Sequence, residues 1–195
     1  MRHPFRRRLL KPRMFLPYAA VLALFWLAVP TPVGFAAGAA LVVVGEGLRA
    51  WGAGHLVKNE RLTVSGPYAH LRHPLYAGTL LVSAGFACMA GGWATALVLP
   101  LALAVFFFYY FPYKERIESA RLERLYGAPY TAYRAAVPAL LFAPAAWSPP
   151  PDVASDVSVA GRWSFERFRA NDEDGALLAI AGGMLLLALR PLLPL

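Results

Sequence analysis

The chain has 195 residues, enough for one ordinary domain, but 58% of them are hydrophobic and 15% charged, with a mean hydropathy of +0.49. That balance excludes a small water-soluble globule and predicts a polytopic membrane protein. The single cysteine, Cys88, excludes a disulfide framework and a cysteine-based zinc site; the net charge of +8 sits on residues flanking apolar runs, so it points to acidic lipid headgroups and not to nucleic acid.

Residues 1–13 hold Arg2, Arg6, Arg7, Arg8, Lys11 and Arg13 with no acid, which predicts a cytoplasmic amino terminus. The apolar run Met14–Val29 has no small-residue cleavage site before the next apolar segment, so it is read as a first span and not as a signal peptide. After a turn at Pro30 and Pro32, a second span is predicted over Val33–Trp51, with Gly34 and Gly38 on one face for close helix approach. An acid at the depth of Glu46 is costly alone; it either pairs with Arg49 one turn on or lines a polar cavity.

Gly52–Arg72 is polar, and a third span follows over Leu75–Ala90. The uncharged turn Gly91-Gly92-Trp93 leads to a fourth span over Ala94–Phe111, with Pro100 as a possible kink. Lys114–Tyr126 has the spacing of a helix that continues out of the bilayer, Gly127 ends it, and Pro129 opens a further helix through Tyr130 and Tyr133. Val137–Phe142 is apolar but too short to span, and is expected to dock at the surface or into the bundle. Trp147–Gly161 is proline-rich and reads as a linker; Trp163, Phe165 and Phe168 among arginines predict a segment in the headgroup layer. A fifth span is predicted within Ala176–Leu195, with Gly175, Ala179 and Gly183 repeating every four residues.

The expected organisation is a basic segment 1–13, a core 14–144, a linker and interfacial segment 145–174 and a last span 175–195. This is an all-α membrane bundle of about five spans, with cytosolic helices after the fourth. It places eighteen of the nineteen Lys and Arg on the inner side and only Arg190 outside. The same folding brings the polar stretch Gly66–Gly78 and the helix around Glu118 to the cytosolic face.

Those two stretches carry the chemistry. Gly66-Pro67-Tyr68-Ala69-His70-Leu71-Arg72-His73-Pro74-Leu75-Tyr76-Ala77-Gly78 concentrates cations and phenols at a helix start, with Pro74 placed where its missing N–H costs nothing. Read alone, Arg72 and His73 also fit headgroup anchoring, Glu115 and Glu118 fit pairing with Arg121 or Arg124, and Tyr130 and Tyr133 fit interfacial packing. His55 and His70 read as solvated. No histidine or acid pair at helical spacing supports a metal site, and Gly45-Glu46-Gly47 is not a dinucleotide fingerprint, since no strand precedes it.

The pattern Gly-x-Tyr-x-x-x-Arg-His-Pro-x-Tyr-x-Gly at 66–78 is followed by an apolar hairpin. Next comes Glu118-x-x-x-Leu122-x-x-x-Tyr126-Gly127-x-x-Tyr130-x-x-Tyr133-x-x-x-Val137-Pro138, and together these resemble the isoprenylcysteine carboxyl methyltransferase family. Phospholipid N-methyltransferases and bacterial thiol methyltransferases share parts of it, and the resemblance covers roughly 41–144. It implies an S-adenosylmethionine-dependent enzyme of a prokaryotic cytoplasmic membrane, acting on a lipid or lipid-like acceptor. The implied cofactor-binding set is Tyr68, His70, Leu71, Arg72, His73, Tyr76 and Gly78 on one side and Glu115, Glu118, Tyr130 and Tyr133 on the other.

The chain departs from that family at two positions, with Ser119 where a second adjacent glutamate is usual and Ala136 where an arginine precedes Val-Pro. In-line methyl transfer needs alignment and exclusion of water more than a base, so no catalytic base is assigned. A membrane reductase of the sterol-reductase kind, and a non-catalytic helical scaffold, are the competing readings.

Overall fold

The computed structural model describes residues 24–57, 61–151, 157–158 and 161–192 and is mostly helical. The basic segment 1–13 and most of the first predicted span lie outside the described residues. Six helices follow in order: α1 (Pro32–His55), α2 (Pro74–Ala90), α3 (Thr95–Tyr126), α4 (Ala128–Ala136), α5 (Phe165–Ala170) and α6 (Glu173–Leu192). Among the described residues α1, α3 and α6 are long and apolar enough to cross a membrane, while α2, the expected third span, is apolar but only 17 residues long.

Helix α1 starts where Thr31 accepts the Gly34 N–H at 3.1 Å and Pro32 occupies the first turn. It runs antiparallel to α2 along a glycine seam. A Cβ on Gly38 would sit 2.4 Å from the Gly85 carbonyl oxygen, and one on Gly78 would sit 2.5 Å from that of Gly45. Because lipid is as apolar as a leucine side chain, helices in a bilayer associate through such close packing. The predicted face at Gly34 and Gly38 is therefore the outer end of a longer seam that continues to Gly45.

The two interior prolines of α3 sit on wide turns. A proline ring presses on the carbonyl four residues earlier, here Ala96 for Pro100 and Phe108 for Pro112. Both carbonyls belong to π-helical turns, Ala94–Val98 and Phe106–Tyr110, whose larger radius makes room. The apolar part of α3 is not buried against the described protein, and Leu101, Phe107, Phe108 and Tyr109 are exposed, a surface that a bilayer covers.

The helices alternate in direction. At one end the Val29 N–H donates to the Ala90 carbonyl at 2.7 Å and Arg190 donates to the Phe25 carbonyl at 3.2 Å. At the other, Arg49 of α1 joins Thr79 of α2 at 2.5 Å and Glu173 of α6 at 2.8 Å. Arg49 also lies 3.4 Å from Glu46, so of the two options for that acid the ion pair is the one found. On α6, Gly183 meets the Phe86 ring, where a Cβ would sit 3.0 Å away, whereas Gly182 faces open space.

Two apolar cores result. One, around Val42, Met89, Ala90 and Leu187, joins α1, α2 and α6. The other, around Leu62, Val64, Tyr130, Tyr133 and Val137, lies beneath the polar end of the bundle. There the short strands β1 (Leu62–Thr63) and β2 (Val157–Ser158) pair in parallel, and this pairing interrupts the expected all-α pattern. Trp163–Phe168, expected in the headgroup layer, docks on the end of α1, with Phe168 buried and Trp163 and Phe165 exposed.

Candidate functional site

The loop between β1 and α2 is shaped by its own residues. Gly66 takes φ +60°, which opens a 3₁₀ turn over Gly66–Ala69 and lays its Cα on the His55 ring; a Cβ there would be 2.5 Å from that ring. His55 is buried, with Nδ1 3.2 Å from the Ser65 hydroxyl, which corrects its reading as a solvated histidine. Pro74 then starts α2.

A strap from Val137 to Trp147 holds the loop by main-chain hydrogen bonds. Arg72 and His73 donate N–H groups to the Pro138 and Ala139 carbonyls at 2.9 and 3.0 Å, and Ala143 and Trp147 donate to the His70 and Ala69 carbonyls at 2.9 and 2.8 Å. The apolar run expected to dock at the surface or into the bundle thus docks on the loop itself. Arg72 Nε adds a bond to the Val137 carbonyl at 2.9 Å.

The carboxyl-terminal end of α3 closes over the same loop. Glu115 pairs with Arg72 Nη1 at 2.6 Å and with His73 Nε2. One turn on, Glu118 accepts the Tyr76 hydroxyl on Oε1 and places Oε2 3.7 Å from His73 Nδ1. The two stretches, remote in sequence, share a cavity of about 350 Å³. Its polar lining includes Tyr68, Arg72, His73, Tyr76, Glu118 and Tyr133; Leu56, Val57, Leu62 and Leu122 supply apolar wall. That size lies within the range of ordinary small-molecule sites.

The remaining predicted residues are turned elsewhere. His70 Nδ1 donates to the Ala143 carbonyl at 2.8 Å and its ring stacks on Phe142 at 4.5 Å. Leu71 is fully buried, and Gly78 is part of the α1–α2 seam. Tyr130 is buried against the Ser119 hydroxyl at 2.7 Å, and Glu115 is engaged by Arg72 and His73. Ser119, where a second glutamate was expected, also donates to Glu115 Oε1 at 3.2 Å, while Arg134 and Ala136 are exposed.

Sequence reasoning missed Arg61, Thr63, Arg121 and Tyr126 in the lining. Arg121 and Tyr126 had a signal, since they fall with Leu122 on the face of α3 that carries Glu118. Burial pushes the Tyr68 phenol up, helped by the Glu173 and Glu118 carboxylates, and burial likewise pushes Tyr133 up, so both remain neutral donors. Tyr133 uses its proton on the Tyr68 carbonyl at 2.7 Å.

Residues 33–129 match the phospholipid methyltransferase family, and this stretch includes the named lining of the cavity except Tyr133. That stretch, just under half of the chain, is similar to the family. No curated protein and no solved structure matches. The match to the phospholipid methyltransferase family, with several apolar helices, points to an integral membrane protein and a membrane methyltransferase. The phospholipid methyltransferase match ends inside α4, before Tyr130, and leaves out the strap, α5 and α6.

Proposed function

We propose that this protein transfers a methyl group from S-adenosylmethionine to a membrane-partitioned amphiphile, with the donor held in the cavity between Arg72-His73 and Glu118. The observation that carries the reading is that loop 66–78 and the end of α3 share one hollow lined by a carboxylate, a guanidinium, an imidazole and phenols. These groups suit the donor. Glu118 Oε2 faces the cavity without a hydrogen bond among the described residues and suits an ammonium or ribose hydroxyls. Arg72 suits a carboxylate, and Tyr68, Tyr76 and Tyr126 offer flat faces to a base.

When bound, S-adenosylmethionine supplies an electrophilic methyl group on a sulfonium. The protein's task is orientation and dryness: Tyr76 fixes Glu118, Glu115 fixes Arg72 and His73, and the leucines exclude water. His73, tied to Glu115, acts in positioning and not as a base. The basic residues support a five-span arrangement with the cavity at the cytosolic face of a cytoplasmic membrane, in contact with acidic headgroups.

The acceptor class is a lipid amine, a thiol or an isoprenylcysteine-like carboxylate. Ala136 offers no cation for a carboxylate, and the family match supports an amine. Equilibrium binding of S-adenosylmethionine to the purified protein, with Glu118→Ala as comparison, tests the donor site. Saturable binding lost in the variant supports it; no binding by the native chain overturns it and favours the scaffold reading. A radiolabelled methyl screen over amine, thiol and prenylated carboxylate amphiphiles then identifies the acceptor.

A further inference from the structure

An α-helix ends in carbonyls that its own turns cannot satisfy. At the end of α1 those carbonyls are met from far along the chain. Asn171 Nδ2 donates to the Ala53 carbonyl at 2.9 Å and the Leu56 carbonyl at 3.3 Å. Arg167 Nε and the Ser164 N–H both donate to the Gly54 carbonyl, at 2.9 and 3.0 Å. Trp163 Nε1 reaches the Ala50 carbonyl at 3.0 Å, and its ring occupies the space of a Gly54 side chain, where a Cβ would lie 2.0 Å away.

The Arg167 guanidinium also answers the negative end of the α1 dipole. Glu173, two residues beyond Asn171, closes the group by taking Arg49 Nη2 on both oxygens at 2.9 and 2.8 Å. Every one of these groups on residues 163–173 lies beyond the stretch 33–129 that matches the family.

What α1 leads into is the cavity wall. Leu56 and Val57 follow its last turn and line the cavity, as do Leu62 and Thr63 of β1. Thr63 Oγ1 accepts the Val57 N–H at 3.1 Å, tying the two parts of that wall together, and β1 is paired with β2, on the carboxyl-terminal side of the strap. Both ends of the wall therefore bear on the carboxyl-terminal part of the chain.

We propose that residues 163–173 are a positioning element of the donor site, with Asn171 and Arg167 as positioning residues that set the wall residues Leu56, Val57, Leu62 and Thr63 through the end of α1. This rests on the reading of the cavity as an S-adenosylmethionine site. A segment that served only to anchor α6 would leave that wall untouched when its bonds to α1 are removed.

The test uses the full chain in nanodiscs and the double variant Asn171→Ala/Arg167→Ala, with two readouts: the Kd for S-adenosylmethionine and hydrogen exchange of amides 56–63. The expected result is a Kd about tenfold weaker, as a small misplacement of a binding wall produces, with faster exchange at 56–63 and unchanged exchange in α6. An unchanged Kd in the folded variant overturns the proposal. If the native chain does not bind the donor, the functional reading fails by itself, and unchanged exchange at 56–63 still overturns the positioning role. Should the double variant not fold, Asn171→Asp, which keeps the shape and loses the donor, is measured in the same way. Loss of folding in that variant too overturns the proposal, because the segment is then general scaffold.

Discussion

Glu115 and Glu118 stand one turn apart on α3 with opposite commitments: Glu115 closes on Arg72 at 2.6 Å and on His73, while Glu118 keeps Oε2 towards the cavity, 3.7 Å from His73 Nδ1. On the proposed donor site, the difference separates a structural acid from a binding one. Glu118→Gln is expected to weaken S-adenosylmethionine binding at least about tenfold, the loss of a charge-assisted contact, with little change in thermal midpoint. Glu115→Gln leaves the Arg72 guanidinium without its carboxylate in a half-buried site and is expected to cost about 3 kcal/mol of stability. Parallel binding isotherms and thermal unfolding in detergent check the pair; equal effects of the two variants on either readout would contradict the division.

The glycine seam makes a second contrast. Gly85→Ala would set a methyl 2.6 Å from the Gly38 carbonyl oxygen, with backbone on the other side that cannot yield cheaply. A loss of about 1–3 kcal/mol is expected, as for other overpacked positions. Gly182→Ala meets nothing within 4 Å and should be neutral or slightly stabilising. Thermal unfolding of both variants decides it.

Alkaline pH should act through the buried phenols. Tyr68 and Tyr133 have folded-state pKa values raised by burial, so their contribution to stability is complete below the unfolded value of about 10 and falls away as pH rises beyond it. The midpoint of unfolding should therefore drop above about pH 10, and Tyr133→Phe should make that drop shallower. The same variant loses the bond to the Tyr68 carbonyl, about 1 kcal/mol at neutral pH. A series of unfolding curves from neutral to alkaline pH measures both effects.

Gly66→Ala tests the loop. Its φ of +60° disfavours any side chain, and the new methyl would collide with the His55 ring. Destabilisation of about 1–3 kcal/mol is expected together with weaker donor binding, read by unfolding and by the binding isotherm. Unaltered binding would show that the loop tolerates displacement.

Much of this site was legible from side-chain types. Tyr68, Arg72, His73, Tyr76, Glu118 and Tyr133, which the resemblance of the two motifs to the methyltransferase family implied as one set, all line the cavity. Glu115 could not be told from Glu118, since one helical turn separates them and only the partners on the loop distinguish them. The strap was not legible because it binds through main-chain groups, which Pro138, Ala139 and Ala143 present without any side-chain signature. His55 and Asn171 read as solvated or unremarkable for a related reason: their partners, Ser65 and the end of α1, are polar groups that only the fold brings near.

Among the described residues no protein covers the apolar length of α3, so in a membrane the slope of that rod is expected to follow the thickness of the host bilayer. Glu118 rides on its far end. On the proposed donor site, acyl-chain length is thereby a mechanical input to the gap between Glu118 and His73, and the same polypeptide reconstituted in thin and thick membranes is expected to bind S-adenosylmethionine with different firmness.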